Sequence, residues 1–164
     1  MMTYALQGLL SVRNFREESA ASQMASSRVA LEEAEALVET REKEKAAWHQ
    51  ERLRQEDLLF KEIHKKLVQL KDLDDVKQRV LILRDRELAL VKKVHDARAA
   101  VKTAQKKLEE DTRRWRMAVR DKERIVAHRQ DWEQESAREQ ERLAELEMED
   151  FRVRPNQLTA EVSG

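Results

Sequence analysis

Apolar residues recur at alternating steps of four and three residues through the second half of the chain. The series begins at Val76 and ends at Asp150, and most of its positions are apolar. A repeat of 3.5 residues sustained over so many turns is typical of a coiled coil, because it keeps one narrow stripe of a helix facing its partner. We therefore predict one long helix over residues 72–153. Its seam should loosen after Lys122, where polar positions become commoner.

The first half of the chain has a less regular repeat. An apolar stripe runs up to Val38, where two successive steps of four residues, through Glu42 to Ala46, shift it before it continues through Phe60. A shift of this kind locally unwinds a supercoil. We predict a continuous helix over residues 1–65 that packs weakly around the shift.

The reversal between these helices is marked by charge and not by glycine or proline. Lys65 and Lys66 suit the negative C-terminal end of a helix. Asp72 can cap the free N–H groups that begin the next helix. We therefore predict a turn over residues 66–71.

The last residues of the chain should leave the helix. Pro155 lacks an amide hydrogen, so we expect the second helix to end a few residues before it. Chain ends that are not tied down by packing are usually poorly ordered. We predict that residues 154–164 form a disordered tail.

Two arrangements of these helices are compatible with the pattern. In an antiparallel hairpin whose turn lies near residue 68, residue i lies opposite about residue 137 − i. Trp115 then faces the small residues at 20–22 and Trp132 faces residues 5–6, and large rings pack well against small side chains. The alternative is one unbroken helix that forms a parallel dimer, in which each tryptophan meets itself. We favour the monomeric hairpin, an all-α fold built as a long two-helix antiparallel coiled coil.

The composition agrees with long, solvated helices. Charged residues make up 40% of the chain, with 33 basic and 33 acidic residues, against only 2 glycines and 1 proline. Because Gly and Pro supply most turns, this excludes a multi-strand sandwich, barrel or Rossmann-type sheet. The chain has no cysteine for a disulfide or a thiolate metal site. No apolar run approaches the ~18–20 residues that a membrane span needs, so we expect no membrane insertion.

The chain offers no pattern typical of a catalytic, cofactor or metal site. Its four histidines lie too far apart in sequence to form a metal-ligand pair on one helix. It has no phosphate-binding loop and no hydrolase motif. Paired carboxylates on an open helix are solvated, whereas a general acid or base needs a pocket. We therefore expect a protein that is not an enzyme and holds neither cofactor nor metal.

Charge and aromatic residues indicate where partners could bind. Residues 77–129 are rich in Lys and Arg, whereas residues 131–150 are acidic. Both stretches are explained by solvated helix faces or by a polar rod whose two ends dock on different partners. Trp48, with Phe60 further along, is either a core residue or an aromatic interface anchor. Nucleic-acid binding is disfavoured, because acidic residues interleave with the basic ones and no aromatic platform accompanies them.

Three segments of the chain share motifs with one family. They are LLSVRNFREESAASQ at residues 9–23, WHQERLRQEDLLF at residues 48–60 and KDLDDVKQRVLILRDRELAL at residues 71–90, and the acidic run ELEMED follows at residues 145–150. In this order they resemble the YscO/SctO proteins of bacterial type III secretion systems, which are related in architecture to flagellar FliJ. The matched positions are Trp48, Glu51, Leu59 and Phe60 in the second segment, and Lys71, Asp72, Leu73, Val80, Leu83, Arg84 and Glu87 in the third.

The resemblance implies a central-stalk protein of the secretion apparatus. Such proteins form an antiparallel coiled coil that inserts into the secretion ATPase hexamer, bridges it to the cytoplasmic domain of the export gate and binds export chaperones. This implies a place in the bacterial cytoplasm, peripheral at the inner-membrane apparatus. The residues expected to bind partners are Trp48, Phe60 and Leu83 on the gate side, and Glu145, Glu147 and Glu149 on the ATPase side. The alternative, which needs no resemblance, is a structural homo-oligomeric coiled-coil scaffold or tether.

Overall fold

Two long helices make up the part of the chain that the structure describes. The computed structural model describes residues 4–65 and 70–161, with side chains up to residue 153 in the second range. Helix α1 spans Gln7–Lys65 and has 59 residues, and helix α2 spans Leu70–Glu161 and has 92 residues. Within these ranges no residue lies in a strand. The predicted all-α class is confirmed.

The start of α2 differs from the predicted boundary. Because α2 begins at Leu70, Asp72 lies within its first turn and does not cap it. At that position its carboxylate still lies near the positive end of the helix dipole. The predicted turn over residues 66–71 falls mainly on residues 66–69, which lie outside the described residues.

The end of α2 also differs from the prediction. The helix continues to Glu161 and so includes Pro155 and residues 154–161, for which the sequence predicts a disordered tail. A proline inside a helix removes one N–H donor and tends to bend the helix, but it need not end it. The rest of the predicted tail, residues 162–164, lies outside the described residues.

The helical segments group into two units. The terminal unit comprises Met1–Ala20 with Arg114–Gly164, and the central unit comprises Ala21–Arg113. Each unit contains one segment of α1 and one segment of α2. Contacts that join the two segments within each unit establish the antiparallel hairpin.

In the central unit, the α2 seam follows the predicted repeat. Val94 and Ala97 are buried, and every predicted seam position between residues 76 and 108 is buried or half-buried. The pairs that cross between the helices lie close to the predicted register, in which residue i faces about residue 137 − i. These pairs are Ser27–Asp111, Glu42–Arg98 and His49–Glu87.

In the terminal unit, Tyr4 and Leu10 are the buried apolar side chains among those described. The ring of Tyr4 lies 5.2 Å from the Trp132 ring, measured between centroids. The Tyr4 hydroxyl lies 2.6 Å from Nδ1 of His128. Trp132 therefore packs on Tyr4, one residue before the predicted 5–6, because a second aromatic ring offers it a larger contact than Ala5.

Polar pairs continue the same register along the terminal unit. Nη1 of Arg13 lies 3.0 Å from Oδ2 of Asp121. Nζ of Lys122 lies 3.2 Å from Oε2 of Glu17. Both pairs are partly exposed, so each contributes at most about 1 kcal/mol. Their main effect is to match the charged positions of one helix with opposite charges on the other.

The α1 seam corrects one prediction. The predicted shift at Glu42 and Ala46 is absent, since both side chains are exposed, as are Leu53 and Phe60 further along the predicted stripe. Of the predicted stripe, His49, Glu56 and Ile63 are partly or fully buried. The other partly buried positions in this stretch lie beside the stripe, and they are Arg41, Lys45, Trp48, Glu51, Arg52, Gln55 and Leu59. A large indole and an ion-paired guanidinium gain more from facing α2 than Ala46 and Leu53 do.

The antiparallel pairing can be tested with two cysteines, because the natural chain has none. Glu42 and Arg98 form an ion pair across the central unit and are both largely exposed. Spin labels at Glu42→Cys and Arg98→Cys should lie within about 25 Å of each other, whereas an unbroken helix would separate them by about 80 Å at 1.5 Å per residue. Double electron–electron resonance measures this distance. The Glu42→Cys single variant should show no short distance, since only a parallel dimer would bring two copies of residue 42 together.

Candidate interaction surfaces

The described residues provide surfaces and not an enclosed site. They contain no group of three or more His, Cys, Asp or Glu side chains placed to hold a metal ion. Within the described helices, no stretch combines the length and the hydropathy that crossing a membrane requires. The candidate functional residues therefore belong to open faces of the two helices.

Trp48 fastens α1 to α2 in the central unit. Its indole N–H donates a hydrogen bond to the backbone carbonyl of Leu83, at 3.2 Å. The guanidinium of Arg86 lies over the indole ring, 4.2 Å from its centroid, in a cation–π contact. The indole is half-buried, and Arg86 covers one of its faces. The structure thus brings two of the predicted partner-binding residues together in an internal contact, and their role toward a partner stays a prediction.

An apolar groove opens beside the Trp48–Leu83 contact. It has a volume of about 410 Å³, and its lining residues are Gln55, Leu58, Leu59, Glu62, Arg79, Ile82 and Leu83. Phe60 does not line it, although its side chain is 53% exposed. Because successive helix residues are turned by about 100°, Phe60 and Leu58 lie on different sides of α1.

The outer face of α2 carries apolar residues that the sequence analysis missed. Leu81 and Leu88 are 61% and 65% exposed, and each directly follows a seam residue of the repeat. Their spacing of seven residues places them on one face, turned away from α1. The signal was present in the sequence, since these leucines extend the apolar runs at residues 80–83 and 88–91 beyond the seam.

A network of charged side chains crosses the central unit near Trp48. Arg52 pairs with Glu87 on α2 and, at 2.9 Å, with Glu56 on its own helix. Glu56 also forms an ion pair with Arg84, whose Nε lies 3.2 Å from Oε1 of Glu56. On α2, Oε1 of Glu87 lies 2.7 Å from Nδ1 of His49. Arg52, Glu56 and Glu87 are largely buried. A largely buried carboxylate can remain charged only when a cationic side chain forms an ion pair with it.

The network changes the proton affinity of both glutamates. The hydrogen bond with His49 lowers the pKa of Glu87, burial acts against this, and the charge of Arg52 lowers it further. For Glu56, burial raises the pKa, but the hydrogen bonds and charges of Arg52 and Arg84 together outweigh it and hold the pKa below its ordinary value. Both carboxylates therefore favour the charged form in the folded hairpin.

The C-terminal stretch of α2 in the terminal unit is exposed on every side. All described side chains from residue 137 to residue 153 are exposed, including the predicted partner-binding residues Glu145, Glu147 and Glu149. Apolar side chains are exposed beside them, among them Leu143 at 47% and Phe151 at 78%. The three glutamates thus lie together on one stretch of α2 whose described side chains are not covered by α1. This stretch belongs to a different unit from Trp48, Phe60 and Leu83.

Comparison with known proteins identifies similar chains. The family model described as Type III secretion protein YscO matches residues 6–154. The crystal structure of YscO from Vibrio parahaemolyticus is 25% identical, with a TM-score of 0.82 over 89% of this chain and 92% of that one. A putative YscO homologue from Chlamydia trachomatis is 20% identical, with a TM-score of 0.79 over 98% of this chain and 99% of that one, and supports the fold alone. Among curated proteins, no sequence matches the chain.

Substitutions at Trp48 should separate its packing from any role in binding. Trp48→Ala removes a half-buried ring, a hydrogen bond and a cation–π contact, so we expect it to lower the free energy of unfolding by about 2–4 kcal/mol. Trp48→Phe keeps most of the ring and should lower it by about 1 kcal/mol. Urea denaturation followed by circular dichroism measures both. Phe60→Ala is the control and should lower it by about 1 kcal/mol or less, because that ring is half exposed. Equal losses for Trp48→Ala and Phe60→Ala would contradict a structural role for the indole.

The charged network predicts a pH dependence of stability. Because the folded-state pKa values of Glu56 and Glu87 are lowered, their contribution is complete above the unfolded value of about 4.3 and is lost as pH falls through the folded values. The free energy of unfolding of the natural chain should therefore decrease below about pH 4.3. In Glu87→Gln this decrease should be shallower, while the exposed control Glu147→Gln should follow the natural chain. Urea titrations between pH 7 and pH 3 measure the slopes, and identical slopes for all three proteins would show that the network does not contribute.

Proposed function

Because the chain belongs to the YscO family of type III secretion proteins, we propose that it is the central stalk that joins the secretion ATPase hexamer to the cytoplasmic domain of the export gate. Family membership makes it a component of type III secretion. The role as a central stalk is more specific than this family membership, and we base it on the resemblance to FliJ-like proteins. We further propose that it acts as a monomer in the bacterial cytoplasm, at the inner-membrane apparatus, and that it escorts export chaperones.

The observation that carries this proposal is the presence of two separate sets of uncovered side chains on one helix. Near its start, α2 exposes Leu81, Ile82 and Leu88. Near its end, the whole stretch of residues 137–153 is exposed and includes two leucines and five glutamates. Soluble proteins seldom leave clustered apolar residues in water unless a partner covers them. A linker between two components needs two such surfaces on one continuous element.

The two surfaces differ in the physics of binding. The terminal surface carries Glu145, Glu147 and Glu149, which would meet basic groups of the ATPase ring through exposed charges. Salt screens such charges, with a Debye length of about 10 Å at 0.1 M ionic strength. The central unit would meet the gate mainly through Phe60 of α1 and through Leu81, Ile82 and Leu88 of α2, whose burial does not depend on screening. Trp48 and Leu83 would then support that surface by holding α1 against α2.

The rest of the surface suits a protein that must not adhere elsewhere. Acidic and basic residues are equal in number, at 33 each, and many form pairs along one helix, such as Lys43 with Glu39 and Lys61 with Asp57. Such exposed pairs add little stability but keep the helix faces hydrated. This distribution supports a stalk that contacts its partners only at dedicated surfaces.

Two sets of substitutions should uncouple the contacts. Glu145→Lys with Glu147→Lys and Glu149→Lys should abolish stimulation of the cognate ATPase and leave binding to the gate domain unchanged, because only the terminal surface changes sign. Phe60→Ala with Leu81→Ala and Leu88→Ala should weaken gate binding and leave ATPase stimulation unchanged, because these side chains are largely exposed and the hairpin is retained without them. ATP hydrolysis rates and calorimetric titration of the gate domain measure the two effects.

A matched control accounts for net charge. Glu32→Lys with Glu33→Lys and Glu35→Lys makes the same charge change at exposed positions of α1 and should act like the natural chain in both assays. If this control also abolishes ATPase stimulation, net charge and not the terminal surface is responsible. If the natural chain binds neither component and sedimentation shows self-association, the homo-oligomeric scaffold replaces the stalk.

A further inference from the structure

The seam repeat of α2 continues past the point at which α1 covers it. Tyr4, at the start of the described chain, packs on Trp132, and Ser136 is the last half-buried position. The same alternation of four and three residues then proceeds through exposed positions. These are Glu139, Leu143, Leu146, Asp150 and Val153.

The exposed part of the repeat has the side chains of a coiled-coil face. Leu143 occupies the seam position of Val94, and Leu146 and Val153 occupy that of Ala97; Val94 and Ala97 are buried in the central unit. The covered and uncovered stretches belong to one helix and one uninterrupted repeat. The uncovered face is therefore continuous with the established interface between the helices, and a further helix would complete it in the same way.

The charges beside this face define the chemistry of that helix. Among the described side chains, the positions that flank the exposed seam carry Gln140, Glu147, Glu149 and Arg142, and Arg142 is paired with Glu139 at 2.6 Å. Flanking charges select coiled-coil partners by attraction and repulsion. A second copy of the same stretch would oppose glutamate with glutamate, whereas a helix flanked by Lys or Arg would complement it.

The covered part of the terminal unit follows the same charge rule. Asp121 of α2 meets Arg13 of α1 at 3.0 Å, and Lys122 meets Glu17 at 3.2 Å. These two charges of α2 are thus matched by opposite charges on the helix that covers them, whereas Arg129 pairs with Glu133 on α2 itself. Asp150 lies within the uncovered seam. We therefore expect a helix that covers this seam to place a basic residue opposite the Asp150 carboxylate.

We propose that residues 137–153 are the docking surface for a basic amphipathic helix of another protein, which packs on the seam of α2 beyond Tyr4. The docked helix presents apolar residues at the 3.5-residue spacing and Lys or Arg beside them. This inference deepens the terminal contact of the proposed function, and it depends on that function only for the component that supplies the helix.

Synthetic helices test the chemistry with the full-length chain. One fluorescein-labelled peptide has three heptads with Leu at the seam positions and Lys at the flanking positions, and a companion has Glu in place of Lys. Fluorescence anisotropy at low ionic strength should show the Lys peptide binding at least about tenfold more tightly than the Glu peptide, because the charge complementarity differs. Leu143→Asn with Leu146→Asn should weaken binding of the Lys peptide at least about tenfold, because the apolar contact is lost.

A matched pair on the opposite face of the same stretch provides the control. Met148→Asn with Phe151→Asn removes side chains that are at least as exposed, yet it should change the affinity by less than about twofold, because these residues lie off the seam. Circular dichroism confirms that both variants remain helical. Equal binding of the two peptides overturns the basic chemistry, and equal loss in the two variants overturns the docking face.

The remaining outcomes separate this inference from its alternatives. If the Lys peptide does not bind, the docking surface is wrong. If sedimentation equilibrium shows a dimer that Leu143→Asn with Leu146→Asn dissociates, a second copy occupies the face and the proposed partner is wrong. Peptide binding without binding to the ATPase would leave this inference standing while removing the ATPase contact from the proposed function.

Discussion

The constraint on which the structure depends is that a pair of helices shares only one seam. Each helix can bury a single stripe, and within residues 4–65 and 70–161 no third element covers its edges. Even Val94 and Ala97, the most buried apolar residues of the central unit, keep a small exposed area, and none of the described side chains is fully buried. A completely buried aliphatic side chain contributes about 1.5–3 kcal/mol, and each partly buried one contributes less. Stability must therefore accumulate along the length of α1 and α2.

This constraint gives the polar residues of the seam a specific role. Apolar residues that repeat every seven positions would pack almost as well if one helix slid by seven residues along the other. Such a slide would remove Ser27 from Asp111 and Arg52 from Glu87, leaving partly buried carboxylates without those partners. Breaking a buried ion pair is far more destabilising than the intact pair is stabilising. These pairs therefore fix the register of the hairpin more than they add to its strength.

The sequence predicted what depends on periodicity and missed what depends on competition between side chains. The α2 seam is as predicted from Val76 to Ser136, because a regular repeat has only one way to face a partner. In α1, apolar character favoured Ala46 and Leu53, but the size of Trp48 and the ion pairs of Arg52 turned a different face inward. The bond from Trp48 to the Leu83 carbonyl joins residues 35 positions apart and leaves no local pattern.

The candidate surfaces show the same division. The exposure of Glu145, Glu147 and Glu149 agrees with the sequence, because the described part of α1 covers the seam of α2 only as far as Ser136. The sequence pattern did not single out Leu81 and Leu88, because a coiled-coil repeat gives a structural role only to the apolar residues of the seam. Once the seam is known, apolar residues outside it become the informative ones, since the hairpin itself does not bury them.

The single seam also leaves the outer faces of α2 uncovered and therefore available for binding. Because the hairpin buries one stripe only, a residue elsewhere on α2 can change without altering the contact between the helices, so outer faces are free to serve partners. The face of Leu81 and Leu88 is apolar, whereas the stretch at residues 137–153 combines leucines with glutamates. Burial of the first face is insensitive to salt, and the charged component of the second is screened by it. One helix thus carries two surfaces that differ in their response to salt, and in the proposed function screening would weaken the contact at residues 137–153 more than the contact at Leu81 and Leu88.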